Sequence, residues 1–309
     1  MFDGRVTQNV TLIAESRMLR FSRERWRSGP RCASITWGWL YGLMPESKEH
    51  FGLGRHWMRG GVSSVLLALG ALQPTVGRQP LAFAIAIGLA GFAAWAAHGW
   101  ADPRLLDATI LIGLVWAIGV IPVVGVWPIG PGLALALTAL LAWRQARLPG
   151  WRDWLRVGEV DTVAWLLCGL TALVSIVGLL AWQHLFGGTL PVDYAYAARS
   201  VPVWAAGLGG LGFLIINGLV EDIVFFGVLL AAATRNLGRA AIPLAALAFG
   251  MAHLNGVPSG VVGAVMAGCW GLILAYLRHR TGGMLATYLA HLVADTTIIA
   301  VLLPLALTG

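Results

Sequence analysis

Residues 203–233 read VWAAGLGGLGFLIINGLVEDIVFFGVLLAAA, an apolar run longer than one upright membrane crossing needs, with Glu221 and Asp222 in its second half. Placing an ionisable side chain in hydrocarbon costs at least about 2.5 kcal/mol on insertion scales, so acidic residues here mark a site before they mark structure. The pattern repeats downstream. His253 lies in the run 240–254, and His291 and Asp295 lie in 283–307. Carboxylates and imidazoles spread over three neighbouring spans are the groups that move protons and activate water.

Composition agrees with a membrane setting. The chain has 309 residues, 58% of them hydrophobic and 11% charged, with a mean hydropathy of +0.76. Soluble domains carry about 25% charged residues, so the expected fold is all-α: a polytopic transmembrane bundle with short interfacial helices. Forty glycines suit close helix approach. The net charge of +7 is almost wholly arginine, in short tracts beside apolar runs, with Lys48 the only lysine. Orienting charge accounts for it, and nucleic acid is not an expected partner. Cys168 and Cys269 fall in apolar runs without metal spacing and read as packing residues, and Cys32 has no CxxC partner either. The first 30 residues are arginine-rich and lack the apolar core of a signal peptide.

Apolar runs near 62–77, 80–101, 105–127, 129–143, 163–185, 203–233, 240–254, 260–277 and 283–307 predict eight or nine spans. With the N-terminus in the cytoplasm and the spans alternating, the basic residues fall almost entirely inside, leaving only Arg78 and Arg199 outside. That predicts an integral multi-pass protein of a bacterial inner membrane. Residues 1–60 read as a basic cytoplasmic or interfacial segment, with Ile35–Met44 too short to span. Residues 61–159 read as accessory helices plus a headgroup-level helix at 143–161 bearing Trp151, Arg152, Trp154 and Arg156. Residues 160–309 carry the site.

Depth brings the ionisable groups together. At about 1.5 Å per residue, Glu221 lies about 21 Å from Arg235 and His253 about 21 Å from Arg239. His291 and Asp295 lie about 16 and 22 Å from Arg280 on the same scale. His291 and Asp295 are i,i+4, so the carboxylate can orient the imidazole, and Phe249 and His253 share that spacing. Glu221 and Asp222 are about 100° apart on a helix, so they are not expected to point squarely at one centre. Glu221 is assigned to the site and Asp222 to its wall.

These motifs carry a family resemblance. Glu221-Asp222-Ile-Val-Phe225-Phe226, then Phe249-Gly-Met-Ala-His253-Leu-Asn255, then His291-Leu-Val-Ala-Asp295 resemble the EExxxR, FxxxH and HxxxN/D signatures of CPBP intramembrane proteases, the CAAX prenyl protease 2 and bacteriocin-immunity (Abi) group. The resemblance covers about 160–309. Two positions depart from it. Asp222 replaces the usual second glutamate, and Phe226 stands where the motif has arginine.

The resemblance implies an intramembrane glutamic-type endopeptidase acting on a membrane-associated polypeptide, prenylated or terminally processed. Glu221 would activate water and His253 would hold it. His291 and Asp295 would stabilise the oxyanion, with Asn255 a further donor and Asp222 and Phe249 in support. No cofactor is expected. The zinc alternative would use His253, His291 and Glu221, and the non-catalytic alternative is an Abi-like binding protein. The polar cavity is expected to open toward the cytoplasm.

Overall fold

In a computed structural model of the protein, residues 50–72, 79–145, 153–187 and 190–308 are described. The basic segment up to residue 49, and with it Ile35–Met44, lies outside them, as do Trp151 and Arg152. Helices follow one another: α1 (His50–Leu72), α2 (Pro80–Gly99), α3 (Pro103–Gly119), α4 (Ile129–Arg144), α5 (Thr162–Phe186), the short α6 (Val192–Arg199) and α7 (Val203–Glu221). A π-helical segment (Asp222–Leu229) runs on into α8 (Leu230–Leu237), and α9 (Ala241–Ala252), α10 (Gly260–Thr281) and α11 (Leu285–Thr308) complete the bundle. No strand occurs among the described residues.

Local chemistry sets several boundaries. Asp102 and Asp161 cap α3 and α5, accepting from the amides of Leu105 at 3.2 Å and Ala164 at 2.8 Å. The Ala164 N–H also holds the Asp161 carboxyl below its usual pKa. Gly187 and Gly282 end α5 and α10 in left-handed conformation, where a Cβ is disfavoured.

Each of the nine apolar runs forms a helix, so the fold is a polytopic helical bundle. Five stretches of the described residues are long and apolar enough to cross a membrane: α2, α5, the continuous Val203–Asn255 path, α10 and α11. Helices α3 and α4 hold 17 and 16 residues, or about 24–26 Å, short of a hydrocarbon core of about 30 Å.

The bundle has two chemically distinct ends. At one, Arg104 donates to Asp153 (2.9 Å), Arg280 donates to Asp161 (2.6 Å), and Arg235 lies 3.6 Å from Asp102. Arg278 donates to the Asp153 carbonyl at 2.6 Å, and Arg59 to that of Trp100 at 2.9 Å. A strap closes this end, with the amides of Met284 and Leu285 donating to Arg156 and Val157, and that of Glu159 to Thr281. Of the headgroup-level helix expected over 143–161, residues 146–152 lie outside the described residues, Asp153 and Trp154 are helical, and residues 156–161 are not. After a turn at Leu155 the backbone runs without regular secondary structure, and Trp154 is buried, its Cβ 3.5 Å from where a side chain on Gly227 would begin. The ring is withdrawn into the core by packing on the π segment.

The opposite end is formed by residues 120–128, 190–202 and 253–260. There Tyr194 donates to the Trp127 carbonyl and Arg199 to that of Ala306.

Candidate active site

The π-helical turn follows Glu221. The Leu230 amide bonds to the carbonyl of Phe225, five residues back, and all eight residues of the segment are buried. Such wide turns are frequent at functional sites. At the start of this one, acidic side chains lie on either side of a single ring. His291 Nδ1 lies 2.9 Å from Asp222 Oδ1, and its Nε2 lies 3.4 Å from Glu221 Oε2 and 3.8 Å from Asp295 Oδ1. Glu221 and Asp222 therefore do meet at one centre, because the imidazole offers a nitrogen to each. Asp222 is completely enclosed and Glu221 is 8% exposed.

Two residues that the motif reading left out complete the cluster. Trp127 Nε1 donates to Glu221 Oε1 and to Asn217 Oδ1, both at 2.9 Å. Asn217 in turn donates from Nδ2 to Asp295 Oδ2 at 3.1 Å. This leaves Glu221 Oε2 buried without a hydrogen bond, turned to the Nε2 side of His291. Asn217 was visible in the sequence as a polar residue four positions before Glu221, on the same helix face. Trp127 gave no such signal, since it sits in the α3–α4 connection outside the motif-bearing half.

The remaining candidates fall around this core. His253 donates from Nδ1 to the Phe249 carbonyl at 2.9 Å, which leaves Nε2 as its exchangeable face. Phe249 is fully buried. It holds both histidines by ring contact, at 4.6 Å to His253 and 6.1 Å to His291. Phe226, at the motif-arginine position, packs on Phe249 at 5.4 Å. Trp270 meets His291 edge to face at 4.8 Å, and its buried Nε1 has no hydrogen bond. Asn255 is exposed at the cavity rim.

Glu221, His253, His291 and Asp295 all border one cavity of about 1300 Å³, whereas Asp222 lies behind the wall. The cavity extends toward the end carrying Val123, Ala197 and Gly256. This corrects the expectation of an opening at the arginine-rich end. That end is shut by the ion pairs and the 155–161 strap, while the wide space lies between the outer halves of α5, α7, α10 and α11.

Among the described residues no three His, Cys, Asp or Glu side chains are grouped as metal ligands. Of the zinc alternative's set, His291 already faces Asp222 with one nitrogen and Glu221 and Asp295 with the other.

Fold and site together define an integral membrane protein with a carboxylate–imidazole cluster at the base of an intramembrane cavity. Residues 202–297 match the family model described as type II CAAX prenyl endopeptidase Rce1-like, in keeping with the resemblance carried by the motifs. No curated protein and no solved structure matches the chain.

Proposed function

We propose that the protein is a glutamic-type intramembrane endopeptidase that hydrolyses a peptide bond of a membrane-associated polypeptide. The observation that carries this reading is the free Glu221 Oε2, held beside His291 at the cavity wall while Trp127 occupies the other carboxylate oxygen. Oε2 takes a proton from a water that His253 Nε2 holds as acceptor. The hydroxide adds to the substrate carbonyl carbon, and the protonated Glu221 returns its proton to the leaving amine. His291 donates Nδ1–H to Asp222, and when protonated presents Nε2–H to the oxyanion, with Asp295 beside it. No metal enters this route. Elemental analysis of purified protein, with activity measured after chelation, tests that choice, and activity lost to chelation and restored by zinc would overturn it.

Phe226 favours a second reading, a non-catalytic binding protein of the Abi kind, because the motif's cation is missing. Against it, His291 supplies a partner to both carboxylates from a different helix. The deciding experiment compares new N-termini in membranes of cells bearing wild type, Glu221→Gln or His253→Ala. Fragments present only with wild type support hydrolysis. Stable capture of a partner by both wild type and Glu221→Ala, with no fragment, supports the binding protein.

A further inference from the structure

The cavity lies on one side of the bilayer midplane, and charge identifies which side. Arg59, Arg104, Arg156, Arg235, Arg278 and Arg280 sit at the closed end, linked there by the contacts described above, and Arg239 follows in the turn between α8 and α9. Among the described residues the open end has Arg199 alone, and it is drawn onto the Ala306 carbonyl. Arginine in short loops is retained in the cytoplasm, so the closed end is the cytoplasmic one. The cavity wall carries no Lys or Arg, and its ionisable side chains, Glu221, His253, His291 and Asp295, are gathered at its base. Elsewhere it is lined by groups such as Val201, Phe213, Val265, Ile299 and Leu303.

From this geometry, and resting on the hydrolase reading for its catalytic part, we infer that the site receives an apolar polypeptide segment from the non-cytoplasmic face of the membrane. A tail that stays in the cytoplasm lies on the wrong side.

Single cysteines test the orientation. In a full-length chain with Cys32→Ser, Cys168→Ala and Cys269→Ser, Ala197→Cys and Val201→Cys place thiols at the cavity mouth, and Ala240→Cys places one at the closed end. A membrane-impermeant maleimide applied to intact bacterial cells is expected to label positions 197 and 201, and to reach position 240 only in inverted vesicles. The reverse pattern overturns the inference. Fragments that depend on Glu221 should then have been cut within segments at the non-cytoplasmic face, and cuts confined to cytoplasmic C-terminal tails also overturn it. Labelling needs no catalysis. An inactive wild type would therefore remove the hydrolase reading while leaving the orientation decided.

Discussion

Trp127 and Asp222 each act on the site through a single polar atom, and their removal should have different consequences. Trp127→Phe keeps an aromatic ring, though a smaller one, and deletes the N–H that fixes Glu221 Oε1 and Asn217 Oδ1. A hydrogen bond to a charged group contributes about 1.5–3 kcal/mol, so turnover should fall about 10- to 100-fold with the fold retained. Steady-state cleavage of the polypeptide found in the N-terminus comparison measures this, and an unchanged turnover number would show that Trp127 does not position Glu221. Asp222→Ala leaves His291 Nδ1 buried with nothing to accept its proton. Breaking a buried charged pair costs about 3–5 kcal/mol, so the loss here should be mainly of stability. Asp222→Asn retains an acceptor oxygen and should be milder, and thermal denaturation in detergent ranks the two. Glu221, His253, His291 and Asp295 were legible in the sequence because an ionisable group in an apolar run is conspicuous. Trp127 was not, because a tryptophan near a span end is ordinary and only the folded α3–α4 connection shows what its N–H meets.

At the scale of elements, α9 and α10 pack against each other most extensively, and His253 follows directly on α9. A Cβ on Gly250 would fall 2.6 Å from the Ala264 carbonyl oxygen and 2.8 Å from Gly268 Cα, so the two backbones are in contact. Gly250→Ala must push the helices apart, at about 1–3 kcal/mol, and would displace His253 from the cavity wall. Gly88 on α2 has nothing within 4 Å of such a Cβ, so Gly88→Ala should be neutral or gain up to about 1 kcal/mol in helix propensity. Equal melting temperatures for the two variants would remove the close-approach argument. Helix existence followed from apolar length, and each of the nine runs became a helix. The π-helical turn did not follow, because nothing in the string Asp222–Leu229 distinguishes it from α-helix. Glu221 and Asp222 keep ordinary α-helical backbone angles at its start, and both reach one imidazole because His291 turns a different nitrogen to each.

The whole molecule differs from its motifs in where the site ends. The family match spans residues 202–297 and the motifs lie within 160–309, yet the base of the cavity is completed from elsewhere. Trp127 holds Glu221, and a Cβ on Gly70 of α1 would lie 3.0 Å from Leu229 and 3.8 Å from Phe225. Helices α1 and α3 and the α3–α4 connection therefore buttress the π segment from one side, while α9 and His291 of α11 meet it from the other. A fragment of residues 160–309 should insert in the membrane, because α5, α10 and α11 and the Val203–Asn255 path are each apolar enough to cross it. It should nevertheless lose at least the 10- to 100-fold expected for removal of the Trp127 hydrogen bond alone. Co-expressing residues 1–150 as a separate chain should restore part of the activity, since the contacts between the halves are non-covalent. Restoration should fail when that chain carries Trp127→Phe. Full activity in the 160–309 fragment alone would show that the front half is dispensable and that Trp127 lies near Glu221 without serving it.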